Sequence, residues 1–228
     1  MYTKRTVMAT MLLGWGAFLG WMAISNTMAR FLGPRTYWVA WFGAAMLVVS
    51  GFVSAVHAAR AAGPRAGRAD WAGVVLLLVP IALVLALPAP QLGAQAASRK
   101  AVGVGALSGF VPPPASGEEI GLEEIHYAAM SREYADQVGI VEGAEVDLAG
   151  FVTHPKNMKQ GTYSLTRFYI SCCAADAVPY SVAIAADEDL PDDTWLSITG
   201  TLVRAGDVFV VEPAQIETIK EPSTPYLY

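Results

Sequence analysis

Three long apolar stretches without a charged side chain constrain this chain more than any other feature of its sequence. They cover residues 7–24, 37–56 and 71–88, and none contains Asp, Glu, Lys or Arg. About 20 apolar residues in a helix cross the ~30 Å hydrocarbon core of a bilayer. Aromatic residues near segment ends, such as Trp38 and Trp71, are typical of the membrane interface. The sequence therefore predicts a transmembrane domain over residues 1–90.

Charge divides the chain into two parts. Residues 1–98 carry seven Lys/Arg and one acidic residue, a balance of +6, whereas residues 99–228 carry eight Lys/Arg and nineteen Asp/Glu, a balance of −11. The two balances give the net charge of −5. Because phosphate binding needs a basic surface, the acidic second part excludes nucleic acid as a partner. Two cysteines also exclude a disulfide-rich scaffold.

The first apolar stretch resembles a signal peptide in its basic start and in its small residues at 27–29. Its apolar run is longer than the ~7–15 residues of a signal peptide, so we predict that it is retained as a helix. A cytoplasmic N-terminus puts five basic residues inside and four outside. Three spans then place the C-terminal domain of this multi-pass cell-membrane protein outside the cytoplasm. The inner set is Lys4, Arg5, Arg60, Arg65 and Arg68, and the outer set is Arg30, Arg35, Arg99 and Lys100.

The remainder is predicted to be a linker and a soluble domain. Residues 91–117 are rich in Ala, Gly, Ser and Pro, which is typical of a linker. Residues 118–228 form the soluble domain, which begins with a helix over 118–138 that carries His126 on its solvated surface. Alternating apolar residues predict strands over 146–152, 165–172, 180–184, 194–203, and 208–211 extended by 216–219. Core candidates on these strands are Phe168, Ile170, Trp195, Ile198 and Val210.

About five short antiparallel strands fit a small closed β-barrel of the OB type. A small open sandwich is the alternative. The predicted fold is therefore an α+β membrane protein, with three N-terminal transmembrane helices followed by an OB-like barrel.

Both cysteines of the chain are adjacent, and a break in the strand pattern follows them. A disulfide between neighbours is disfavoured, since their Cα atoms lie only ~3.8 Å apart. One interpretation is a site for zinc or another soft metal, with Cys172, Cys173 and Asp176 as ligands and His154 as a possible fourth. The other is that the cysteines are packing residues, while Asp176 and Arg167 pair with each other or cap a turn.

Three segments carry a resemblance to a known family. Residues 167–176 with Pro179, residues 193–200 and residues 221–228 together resemble the YcgQ-like family of bacterial membrane proteins. Members have apolar N-terminal spans, a proline-rich linker and a C-terminal domain with a Cys-Cys-x-x-Asp-Ala segment. The resemblance implies one subunit of a two-component permease, whose YcgR-like partner carries the larger membrane domain. It also makes Arg167 and Pro179 supporting residues of the motif.

We therefore expect a non-enzymatic accessory subunit of a membrane permease, with an extracytoplasmic domain that binds a soft metal ion or another solute. Transport pathways usually contain ionisable groups within the membrane, and these spans contain none, so the pore would belong to the YcgR-like partner. The alternative is a membrane-anchored thiol-redox or binding module without a transport role. The sequence has no Cys-x-x-Cys motif and no evident catalytic triad, and this argues against an enzyme.

The orientation gives the first prediction. A reporter enzyme that works only outside the cytoplasm should be active when it is fused after residue 228, because three spans carry the chain from the inside to the outside. Cysteine-accessibility labelling of the intact cell provides the second readout. A cytoplasmic C-terminus would refute the orientation and the number of spans.

Overall fold

The computed structural model describes residues 3–60, 63–86, 92–104, 120–155, 158, 161–188, 190–206 and 208–228. The chain divides into two compact units. The helical unit comprises Met1–Gln91 together with Cys172–Ala174. The barrel unit comprises Leu92–Ser171 and Ala175–Tyr228.

Three long helices make up most of the helical unit. They are α1 (Lys4–Ile24), α2 (Tyr37–Arg60) and α3 (Arg68–Ala86), and two short 3-10 turns lie between α1 and α2. All three are long and apolar enough to cross a membrane. The Thr3 hydroxyl caps α1 by accepting a hydrogen bond of 3.2 Å from the Thr6 N–H. The three long apolar helices of the sequence prediction are confirmed.

Glycine allows α1 and α2 to approach each other closely. A Cβ atom added at Gly16 would lie 2.7 Å from Val48 Cγ2 and 3.2 Å from the Ala44 carbonyl oxygen. A Cβ added at Gly51 would lie 2.8 Å from Leu13 Cγ. All three distances are shorter than ordinary van der Waals contact, so a side chain at either position would force its neighbours to shift. Close approach at small residues is the usual basis of helix packing in membranes.

The barrel unit begins with three short helices. They are α4 (Ala94–Val104), α5 (Leu122–Met130) and α6 (Arg132–Val138). The Asp193 carboxylate caps α4 by accepting a hydrogen bond of 2.6 Å from the Ala94 N–H. α4 lies within residues 91–117, for which the composition predicted a linker. The proline-rich centre of that predicted linker, at 112–114, lies outside the described residues.

The single helix predicted over residues 118–138 is wrong, since α5 and α6 are separate helices. Ser131 interrupts them with an extended backbone, at φ −144° and ψ 117°. Its hydroxyl accepts a hydrogen bond of 3.3 Å from the Tyr134 N–H and so caps α6. A serine hydroxyl competes well with helical backbone bonds, which explains the interruption.

Five strands form a closed barrel. They are β1 (Glu145–Thr153), β2 (Tyr163–Tyr169), β3 (Val178–Ile184), β4 (Trp195–Ala205) and β5 (Val208–Thr218). Their order around the barrel is β1-β2-β3-β5-β4, and only β3 and β5 pair in parallel. The predicted small closed barrel is confirmed, and the open sandwich is excluded. The predicted second strand extended to residue 172, whereas β2 ends at Tyr169.

The barrel interior is filled by alternate side chains of the strands. Leu148, Leu165, Ile198 and Val211 are at most 2% exposed, and Ile125 of α5 packs against the same cluster. Of the core candidates, Phe168, Ile170 and Ile198 are buried, whereas Trp195 and Val210 are half-buried. Phe168 and Ile170 belong to a smaller second cluster with Phe151 and Tyr226.

The interpretation of His126 as a solvated surface residue is wrong. β3 pairs with β5 only at Ala183 and Ile184, so α5 can cover the remaining edge of β3. His126 Nδ1 lies 3.2 Å from the Ser181 carbonyl oxygen and 3.3 Å from the Ser181 nitrogen, and its ring lies 5.0 Å from that of Tyr180. Burial lowers the pKa of His126, although the Ser181 carbonyl acts in the opposite direction.

This pKa shift gives a prediction for stability. Below about pH 6.5 the unfolded chain takes up a proton at His126 that the folded chain resists, so stability should fall as the pH drops towards the lowered pKa of the folded state. The loss should approach ~1.4 kcal/mol for each pH unit between the two pKa values. His126→Gln should remove this part of the pH dependence. Thermal unfolding of the full chain in detergent between pH 8 and pH 5 measures the difference, and identical slopes for wild type and variant would contradict it.

Candidate functional site

The adjacent cysteines lie in a turn between β2 and β3, here called the thiol segment (residues 171–177). β2 ends at Tyr169, a 3-10 turn covers Ala174–Asp176, and β3 begins at Val178. Pro179, the second residue of β3, pairs with Phe168 of β2. A break between the two strands was predicted after the cysteines, but it begins earlier, because β2 ends before them and both cysteines lie within the turn.

Part of this turn belongs to the helical unit, where the loop between α1 and α2 binds its backbone. The Cys172 carbonyl accepts hydrogen bonds from the Gly33 N–H, at 3.1 Å, and from the Thr36 hydroxyl, at 2.8 Å. The Ala174 N–H donates to the Phe31 carbonyl at 2.8 Å. These bonds fix the backbone on both sides of the second cysteine.

The two thiols are close together. Cys173 forms an isolated antiparallel bridge with Leu32, and its Sγ lies 3.7 Å from Cys172 Sγ. The Cys172 side chain is exposed, that of Cys173 is half-buried, and neither forms a disulfide. Neighbouring side chains of a regular strand point to opposite faces. The turn therefore brings together two sulfur atoms that a continued strand would have separated, and two such sulfurs can bind one soft ion.

Asp176 and Lys100 hold the turn on the side of the barrel unit. Asp176 Oδ1 accepts a hydrogen bond of 3.3 Å from the Ser171 N–H. Lys100 Nζ, on α4, donates to the carbonyls of Ala175 and Ala177, both at 3.0 Å. Of the roles considered for Asp176, capping a turn is the one that the described contacts support directly.

His154 follows β1 and binds a carboxylate. Its backbone N–H and its Nδ1 lie 3.1 Å and 2.8 Å from Asp192 Oδ1. All four predicted metal ligands are among the described residues. Nowhere in the described part of the chain do three His, Cys, Asp or Glu side chains lie close enough together to hold a metal ion. The structure thus brings the two thiols together, and a site made of all four residues stays a prediction.

Arg167 does not pair with Asp176 in the contacts described, but clamps the C-terminal end of the chain. Its Nε donates to the Pro225 carbonyl at 3.1 Å, and its Nη2 donates to the Thr224 carbonyl at 2.8 Å. The guanidinium is well suited to this because its donors have a fixed planar arrangement. We call residues 224–228 the C-terminal strap.

The C-terminal strap lies beside the end of β2, directly before the thiol segment. The Leu227 N–H donates to the Phe168 carbonyl at 2.8 Å, and the Leu227 carbonyl accepts from the Ile170 N–H at 3.0 Å. Tyr226, only 5% exposed, packs into the smaller core cluster. Arg167 and the strap therefore hold the end of β2 within the barrel unit.

Sequence reasoning missed three residues that hold the turn, namely Gly33, Thr36 and Lys100. No motif marks them, and their partners lie far away along the chain. The sequence Gly33-Pro34 signals only a local turn. Sequence reasoning did single out Arg167, as a partner of Asp176 or a turn cap, and it singled out residues 221–228 through the family resemblance.

Comparison with known proteins gives a family match and more distant similarities. The family model for the DUF1980 C-terminal domain matches residues 111–228. The UPF0703 protein YcgQ of Bacillus subtilis (strain 168) is 27% identical over 121 residues, which cover 50% of this chain and 42% of that protein. The match thus spans less than half the length of this curated relative.

A chain in the crystal structure of the S. pombe Stn1-Ten1 complex is 19% identical. The match covers 46% of the present chain and 81% of that chain, with a TM-score of 0.25. A TM-score at this level supports no conclusion about fold or function.

The contacts of Arg167 predict that its paired hydrogen bonds, and not its charge alone, hold the C-terminal strap. Arg167→Lys keeps the charge but loses the planar pair of donors, so it should destabilise the chain by about 1–2 kcal/mol and speed the reaction of the thiols with a maleimide. The matched control is Arg204→Lys. The Arg204 guanidinium carbon lies 4.8 Å from the Phe209 ring centroid, and this replacement should leave thiol reactivity unchanged. Equal reactivity in wild type and both variants would show that the strap does not hold the thiol segment.

Proposed function

Given that this chain belongs to the DUF1980 C-terminal domain family through residues 111–228, we propose that it is an accessory subunit of a membrane permease that presents a pair of thiols beside the bilayer. The observation that carries the proposal is that Cys172 and Cys173 belong to the same compact unit as the three long apolar helices. A soft ion bound by these thiols would be held next to the membrane, where a transporter could receive it.

The surfaces of the helices support a partner within the membrane. Many large apolar side chains of α2 and α3 are exposed, Phe42, Phe52 and Leu76 among them. Within α3 no residue is buried. In a bilayer such a surface faces lipid or another membrane protein. Since the predicted spans contain no Asp, Glu, Lys or Arg, the transport pathway is assigned to the partner, a YcgR-like multi-span permease.

The sidedness of the thiols follows from the number of spans. Three crossings put the loop between α1 and α2 on the same side as everything after α3. The hydrogen bonds from Gly33 and Thr36 to Cys172 agree with this arrangement. The bias of basic residues towards the opposite side makes the side of the thiols extracytoplasmic.

The chemistry of the pair favours a soft metal ion as the solute. Two thiolates suit copper(I) or zinc, and zinc needs further ligands to complete a tetrahedral site. Asp176 and His154 remain the candidates within this chain, and the partner is the other source. In this proposal the chain binds and delivers the ion and catalyses no covalent reaction.

The proposal is tested by expressing the full chain together with the YcgR-like permease. We expect the two proteins to purify as a complex, and the wild type to bind about one zinc or copper(I) ion per chain under reducing conditions. The Cys172→Ser/Cys173→Ser variant should keep the partner but lose the metal, and Asp176→Asn should weaken metal binding less. Metal affinity should fall as the pH drops, because the thiols must be deprotonated to bind.

Failure of the complex to form would refute the accessory-subunit role. If both wild type and double variant contain no metal and only the variant unfolds at a lower temperature, the cysteines are packing residues. Turnover of a dithiol or disulfide substrate that depends on both cysteines would instead support the alternative, a thiol-redox module.

A further inference from the structure

Five basic side chains gather at one end of the helical unit, and we call this surface the basic end. α1 begins there, α2 ends there, and α3 begins there. Thr3 forms an isolated antiparallel bridge with Arg65, and the Lys4 N–H donates to the Pro64 carbonyl at 3.0 Å. These backbone contacts join the start of α1 to the segment that precedes α3. The basic end comprises Lys4, Arg5, Arg60, Arg65 and Arg68, all of them exposed.

The charge of the basic end is poorly compensated. Asp70 is the only acidic residue within positions 1–98 of the sequence. Its carboxylate contacts Lys4 Nζ at 3.3 Å and accepts a hydrogen bond of 2.8 Å from the Gly67 N–H. The first part of the chain therefore has no further carboxylate to neutralise four arginines. An anionic ligand would supply this counter-charge.

We propose that the basic end binds the phosphate groups of anionic phospholipids. The arginines stand at the ends of three helices that are long and apolar enough to cross a membrane, which is the level of the lipid headgroups. A guanidinium can bind a phosphate through two parallel hydrogen bonds. Clusters of four or more basic residues beside membrane helices attract anionic lipids. The loop between α1 and α2, at the other end of these two helices, carries only Arg30 and Arg35.

The test uses the full chain in detergent, titrated with phosphatidylglycerol or with phosphatidylcholine of the same acyl chains. Native mass spectrometry gives the apparent affinity for each lipid. We expect phosphatidylglycerol to bind at least tenfold more tightly, and the difference to shrink at high salt because exposed charges are screened. Each basic residue near an anionic surface contributes about fivefold in affinity, so Arg65→Gln/Arg68→Gln should weaken phosphatidylglycerol binding about 25-fold.

Two controls make the result specific. Arg35→Gln/Arg99→Gln removes the same charge at two exposed arginines outside the basic end, and should leave the lipid preference unchanged. Arg65→Lys/Arg68→Lys keeps the charge without the paired hydrogen bonds, and should lie between wild type and the glutamine variant. It also serves as the test if the glutamine variant fails to fold.

Equal affinity for the two lipids would overturn the proposal, as would an equal loss in the Arg35/Arg99 control. Competition by inorganic phosphate at concentrations close to those of the lipid would show that the basic end takes free phosphate and not a lipid. None of these outcomes depends on whether a permease partner exists.

Discussion

Hydrogen bonds between the loop after α1 and the backbone of residues 172–174 hold the two cysteines of the candidate site in place. The Cys172 carbonyl has two donors in that loop, and the Ala174 N–H has its acceptor there. β2 ends at Tyr169, and these bonds hold residues 172–174 in a turn, in which the two thiols lie 3.7 Å apart. In a regular strand the two neighbouring side chains would point to opposite faces. The chemistry open to this protein thus depends on a few main-chain contacts and not on the cysteines alone.

The same turn explains why its acidic and basic neighbours serve structure as well as chemistry. Asp176 binds the Ser171 N–H and Lys100 binds two carbonyls, which satisfies polar groups that a turn leaves unpaired. A carboxylate has several acceptor positions, so capping a turn and binding an ion are compatible roles. His154 contacts Asp192 through Nδ1, an arrangement that also orients histidine ligands in metal sites. A structural role and a metal-binding role are therefore compatible for both Asp176 and His154.

Within the helical unit, the packing of α1 against α2 and the apolar surface of α3 follow different rules. α1 and α2 meet at glycines where no Cβ fits, which is a specific fit between these two helices. α3 has no buried residue, so its apolar surface is left open by the described part of the chain. A subunit that works with a larger membrane protein would combine both properties.

The sequence alone determined the elements whose causes are local. An apolar stretch of membrane length without charges, or a run of alternating apolar residues, needs no distant partner to be recognised, and so the three helices and five strands were predicted. Tertiary structure decided the ends and exceptions. Asp193 caps a helix 99 residues earlier in the chain, and Thr36 binds a carbonyl 136 residues later. His126 is covered because β3 leaves an edge that a helix can fill. Composition and periodicity contain no information about such contacts, because each is a hydrogen bond between residues that only the folded chain brings together.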